Sequence, residues 1–236
     1  MADMEASAGV SGGPRTGAEA DRSTRGAKGA YHHGDLRNAL IEAATDLARD
    51  GGPEAVVLRA AARRVGVSPT AAYRHFAGQA ELLHAVKELG QQRLTESMEA
   101  GAAVVPGSGP GPAEERVRAI GRGYLAFALA EPGLFRVAFC RDPLRMSSPD
   151  GSLDPAEEGS WAFRSFDILV QALDALVEHG RLPAERRAGA ELTAWATVHG
   201  LAMLILDGPL SQLSAEQTHV VAERAFDAVI AGFTAP

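Results

Sequence analysis

The stretch VLRAAARRVGVSPTAAYRHF (57–76) leaves a chain few ways to fold. Val57 to Val65 reads as a short helix that stops at Gly66, the residue type that best tolerates the left-handed conformation just past a helix C-terminus. Ser68 can cap the next helix with its hydroxyl, and Pro69 takes the first helical position, where its missing N–H costs nothing. Two short helices joined by a glycine turn are a helix-turn-helix signature. Ala61, Ala62, Ala71 and Ala72 let the two helices cross closely, and Val65, Val67 and Phe76 supply apolar anchors. The second helix, expected over 69–75, spans about 10 Å at 1.5 Å per residue, against a DNA major groove roughly 12 Å wide.

The remaining signals are almost all helical. Leu36, Leu40, Ala43, Ala44 and Leu47 recur at helical spacing, Asp35 favours the start of that helix, and Asp50-Gly51-Gly52-Pro53 ends it. A fourth helix is expected over 79–99 with Leu82, Leu83, Val86, Leu89 and Leu94 inward, followed by a Gly/Pro linker, GAAVVPGSGPGP (101–112). Further helices are expected near 113–130, 132–140, 161–180, 184–207 and 215–233, with a polar loop over 141–159. No strand of convincing alternation appears. The expected fold is all-α, with about nine helices. Residues 1–30 read as a disordered tail ending in a basic arm, Arg22 to Lys28. Residues 31–78 form the helix-turn-helix domain, and 79–236 a larger helical bundle.

Charge is also divided unevenly between the front and back of the chain. The net charge of −7 argues against a polyanionic partner, but residues 1–93 carry 12 Lys+Arg against 11 Asp+Glu, and residues 94–236 carry 11 against 19. Only the front half can approach phosphate without strong repulsion. No apolar run reaches the ~18–20 residues of a membrane span, and the first thirty residues lack a secretory h-region. A cytoplasmic location is expected, with no membrane partner. The one cysteine, Cys140, cannot form an internal disulfide. No Cys/His cluster has zinc-ligand spacing, His32 and His33 point to different sides of a helix, and no metal or cofactor is expected.

The side chains expected to meet DNA are those exposed on and around the second short helix. Tyr73 can donate its hydroxyl to a phosphate oxygen, Arg74 can hold a phosphate or a guanine edge, and His75 keeps one N–H donor near pH 7. Thr70 offers a hydroxyl and a methyl to a base edge, and Ser68 and Pro69 lie beside it.

LRAAARRVGVSPTAAYRHFAGQAELLHAV (58–86) resembles the DNA-binding domain of TetR-type transcriptional regulators, with Ala62, Gly66, Val67, Ser68, Tyr73, Phe76, Leu82 and Leu83 on the family pattern. YHHGDLRNALIEAA (31–44) is similar to the first helix of one branch of that family. WATVHGLAML (195–204) is similar to that branch's C-terminal Trp-x-x-x-His-Gly motif. Two positions depart from the pattern. Gln79 stands where a phosphate-binding Lys is usual, and Ala71 where a Thr is common. Arg59, Arg74 and the arm are then expected to carry more of the backbone binding.

The resemblance implies a homodimer, held through the two C-terminal helices, that binds palindromic double-stranded operator DNA as a repressor. A small-molecule effector in the C-terminal domain would move the DNA-binding heads apart and release it. Apolar stripes at Leu192, Trp195, His199, Met203 and Leu206, and at Val221, Ala225, Phe226, Val229, Ile230 and Phe233, are expected to form the interface. Gly200 would allow close backbone approach. An effector pocket is expected among Phe127, Phe135, Phe139, Trp161, Phe163, Phe166, Trp195 and His199. Asp207 lies two helical turns from His199, but no nucleophile–base pair or metal set accompanies them, so an enzyme is not expected.

Overall fold

The computed structural model describes residues 33–141 and 161–234, and the expected tail, basic arm and 141–159 loop lie outside them, apart from Arg141. Nine α-helices are present among the described residues, with no strand. They are α1 (His33–Gly51), α2 (Leu58–Val65), α3 (Pro69–Tyr73), α4 (Gln79–Ala103), α5 (Pro110–Ala130), α6 (Pro132–Phe139), α7 (Trp161–Glu178), α8 (Ala190–Leu206) and α9 (Ala215–Thr234).

The α2–α3 corner follows from its residues. Gly66 sits at φ 80°. Its N–H bonds the Arg63 carbonyl at 3.1 Å while the Val67 N–H bonds the Ala62 carbonyl at 3.0 Å. These are the two closing bonds of a Schellman turn, which needs a left-handed residue between them. The Ser68 hydroxyl then accepts from the Ala71 N–H at 3.2 Å, capping α3, with Pro69 at its first position. The helix ends at Tyr73, two residues earlier than expected, and Arg74 and His75 complete it as a turn. Leu40, Ala44, Val56, Leu58, Ala61, Ala62, Ala72, Phe76 and Leu82 are buried together beneath it.

Helix α4 is the spine. Its 25 residues extend about 37 Å at 1.5 Å per residue, from the α3 corner through the body, against α1, α5, α6 and α7. It runs past the expected end because Gly101 belongs to a helix crossing. A Cβ at Gly101 would lie 2.5 Å from the Ala119 carbonyl oxygen, and one at Gly123 would lie 2.4 Å from that of Ser97. Only glycine lets α4 and α5 approach so closely. Helix α5 packs in turn on α7, α8 and α9. The helix expected over 184–207 is divided: a short 3-10 turn at Ala184–Arg186 precedes Gly189, at φ 79°, which opens α8. No helix of the described residues is long and apolar enough to cross a membrane.

The front helices are joined to the body through α6. A Cβ at Gly133 would lie 2.1 Å from the Ala48 carbonyl oxygen, so the start of α6 rests on the last turn of α1. Glu131, at the α5–α6 corner, accepts from Arg49 of α1 at 2.8 Å and from Arg93 of α4 at 2.9 Å. Burial alone would raise the Glu131 carboxyl pKa, but the two guanidinium groups reverse that and hold it below the usual range.

Candidate DNA-binding face and internal cavity

The corner presents one polar face. Ser68, Pro69, Thr70, Tyr73 and Arg74 are exposed, Tyr73 by 47%, while Ala72 and Phe76 behind them are fully buried. His75, expected to be exposed, is half-buried, as is Ala71. Arg59 on α2 and Gln79 at the first position of α4 are exposed beside this face. Arg59, Arg63 and Arg74 form no ion pair among the described residues, whereas Arg64 pairs with Asp46 at 3.3 Å. Unpaired guanidinium groups next to a short, solvent-facing helix are free to meet an anion. Arg63 was missed in the sequence because it reads equally as an ordinary solvated helix charge. Below the face, the Arg37 guanidinium carbon lies 4.8 Å from the Phe76 ring centroid, a cation–π contact that roofs the packed core.

The body holds a cavity of about 550 Å³, open to solvent on one side where the lining residues Leu192 and Trp195 are exposed, and within the range of small-molecule sites. All six helices from α4 to α9 contribute to its wall. Of the expected pocket residues, Phe139, Phe166 and Trp195 line it. Phe127 and Phe135 do not: both are buried in the core, where Phe135 packs edge-on to Tyr124 at 5.7 Å and tilted against Phe139 at 4.9 Å. Trp161 opens α7, but its side chain and that of Phe163 lie outside the described residues. His199 stands behind the wall, where its Nδ1 is 2.8 Å from the Tyr124 hydroxyl.

Tyr124, Lys87 and Gln91 also line the cavity and were not singled out in the sequence. Lys87 and Gln91 are four apart, a spacing that puts them on one helix face, but nothing local tells a cavity-facing polar pair from a solvated one. Burial pushes the Tyr124 hydroxyl well above its usual pKa, partly offset by the Trp195 side chain, so it is a neutral donor. Burial lowers the His199 pKa, which keeps the imidazole neutral and its Nδ1 able to accept. Asp207 does not join His199. It pairs with Arg136, whose hydrogen bonds hold its carboxyl below the usual range.

A lowered histidine pKa fixes a sign. The unfolded chain binds this proton more readily than the folded one, so stability falls as pH drops through the ordinary value near 6.5. Carboxylates held low, such as Glu131, act only further down, below their ordinary value near 4.5. Urea-unfolding free energy is therefore expected to decline between these two values, and to decline less steeply in His199→Gln. Parallel curves for the two proteins would refute the assignment.

The expected α9 stripe needs correction. Phe226, Ile230 and Phe233 are buried within the chain, and Phe226 and Ile230, with the half-buried Val229, face the cavity. They point inward because α9 closes the body against α5, with Arg118–Asp227 and Arg122–Glu223 pairs along the seam. The large apolar side chains exposed on the last two helices include Leu192, Met203, Leu204 and Val220. Beyond its own turn of helix, a Cβ at Gly200 would meet none of the described residues within 4 Å.

A helix-turn-helix head on a long shared helix, with a cavity in the helical body behind it, defines the class of helical DNA-binding regulators. Comparison with known proteins gives the family. "Bacterial regulatory proteins, tetR family" matches residues 40–86. "Tetracyclin repressor-like, C-terminal domain" matches residues 117–229. The chain belongs to the TetR family, whose members are DNA-binding regulators rather than enzymes.

Among solved structures, a protein of unknown function from Rhodococcus sp. RHA1 is 28% identical, with a TM-score of 0.69, covering 86% of this chain and 98% of that one. A TetR/AcrR family regulator from Thermobifida fusca is 22% identical, with a TM-score of 0.55 and coverage of 84% and 98%. The TetR family regulator PfmR from Thermus thermophilus is 19% identical, with a TM-score of 0.57 and coverage of 82% and 95%. The last two share the fold. No curated protein matches the chain.

Proposed function

We propose that this chain is a homodimeric, ligand-responsive repressor. It binds a palindromic operator through residues 57–76 and releases it when a small molecule enters the body's cavity. The observation that carries the reading is the joint one: α3 exposes Thr70, Tyr73 and Arg74 on a buried apolar base, and α4, which begins at that corner, forms a wall of the cavity. Helix α6 supplies a second link. Ala138 and Phe139 near its end line the cavity, and Gly133 near its start abuts α1. An effector that favours a head spacing unsuited to the operator must weaken operator binding by that same coupling free energy.

In this reading residues 31–78 are the head and 79–236 the body, and the Trp195-x-x-x-His199-Gly200 motif supports the branch with that C-terminal motif. The exposed Leu192, Met203, Leu204 and Val220, with Gly200 between them, form the two-fold interface. Residues 22–28 add phosphate contacts, and Gln79 contributes a hydrogen bond without charge. The regulator works in the cytoplasm, where its operator is.

The test is a titration of the purified chain against DNA from upstream of its own gene, with mass measured by sedimentation. Tyr73→Phe is expected to weaken all sequences about equally, because its hydroxyl meets phosphate. Thr70→Ala is expected to change preference between sequences. A Tyr73→Phe protein with altered base preference and unchanged overall affinity would refute the assignment, and a monomer on DNA would refute the dimer.

A further inference from the structure

The chemistry of the cavity wall narrows what enters it. The described wall is mostly apolar, with Met98, Val117, Ile120, Leu169, Val198 and Ile230 among its residues, and it carries one charged side chain, Lys87. No carboxylate pairs with that ammonium among the described residues. Its partner is the Cys140 backbone carbonyl, 2.7 Å from Nζ, just past the end of α6. An ammonium has three N–H donors, and one carbonyl uses only one.

The other polar groups nearby are uncharged, and each already makes a hydrogen bond within the protein. Gln91 donates to the Ala138 carbonyl at 2.6 Å. The Tyr124 hydroxyl meets His199, and the Thr197 hydroxyl bonds the Thr193 carbonyl at 2.9 Å. Lys87 is thus the group in the described wall with both charge and donor capacity to spare. Lys87 is half-buried, and the apolar wall beside its ammonium offers no counter-charge among the described residues.

We propose that the cavity takes an apolar monocarboxylate, its body against the Phe139, Phe166 and Trp195 rings and its carboxylate on the Lys87 ammonium. The inference rests on the cavity being the effector site. A cationic amphiphile meets the wrong charge there. A neutral ligand of the same shape leaves the ammonium uncompensated. A multiply charged anion finds one cation and then apolar wall.

The test uses straight-chain acids of eight, ten and twelve carbons, each compared with the alcohol and the amine of the same length. Binding to the purified full chain is read by tryptophan fluorescence, since Trp195 lies in the wall. For the best-fitting length the carboxylate is expected to bind about tenfold or more tighter than the alcohol, the factor a charge-assisted hydrogen bond supplies. The amine is expected to bind more weakly than the alcohol.

Lys87→Met is expected to bring acid and alcohol to similar affinity by weakening the acid, with alcohol binding no weaker than in the wild type and a melting curve that shows the chain still folded although the bond to the Cys140 carbonyl is lost. Equal affinity for acid and alcohol in the wild type would overturn the proposal. So would an acid preference that survives Lys87→Met, or the failure of every acid to bind. Operator binding is measured alongside. A chain that prefers the acid but binds no operator overturns the regulator reading and leaves the cavity chemistry standing. A chain that binds operator without the acid preference overturns the cavity chemistry alone.

Discussion

Phe76→Ala is expected to lower the free energy of unfolding by about 3–5 kcal/mol, the usual cost of emptying an aromatic site in a packed core. Phe76 is fully buried, with Leu40, Ala72 and Leu82 in the same cluster and Arg37 over its ring. It follows the turn that closes α3, so its ring fixes the angle at which Thr70, Tyr73 and Arg74 face outward. Such a loss is a large part of the ~5–15 kcal/mol that holds a typical protein folded. Urea unfolding followed by helical circular dichroism would measure it, and operator binding should fall although every DNA-facing side chain is intact. Phe76→Leu, which keeps most of the volume, should recover much of both. If Phe76→Ala unfolds at the wild-type urea concentration, the ring does not hold the corner.

Gly133→Ala is expected to be nearly as damaging, although it adds a single methyl group. The new Cβ would lie 2.1 Å from the Ala48 carbonyl oxygen and 2.5 Å from that of Arg49. Both belong to the α1 backbone and cannot swing aside as a side chain could. Helix α6 would have to lift from α1, straining the Arg49–Glu131–Arg93 bridge beside it. Overpacking of this kind costs about 1–3 kcal/mol or more. For a chain of this size each kcal/mol lowers the melting temperature by roughly 2–4 °C. Gly232→Ala is the control, since a Cβ there meets none of the described residues within 4 Å beyond its own turn of helix. Equal melting temperatures for the two variants would show that the α1–α6 contact is soft.

The contrast between these glycines shows where reading a sequence stops. Gly66 was legible because its role is local: a left-handed residue is needed where one short helix ends and Ser68-Pro69 starts another. Gly101 and Gly133 carry no such mark. Gly101 reads as the start of a linker, yet it continues α4 because a partner backbone passes where its Cβ would be. The aromatics behave alike. Phe127, Phe135, Phe139 and Phe166 all sit at helical spacings, and spacing says that each is buried without saying whether it meets core or cavity.

Backbone preference, capping and hydrophobic periodicity act over three or four residues. They determined the all-α class, most helix positions and the α2–α3 corner with its exposed Tyr73 and Arg74. Which helix crosses which is a long-range choice, set by the mutual fit of surfaces far apart in the chain. That choice turned Phe226 and Ile230 inward, set Tyr124 against His199, and brought Lys87 to the end of α6 and the wall of the cavity.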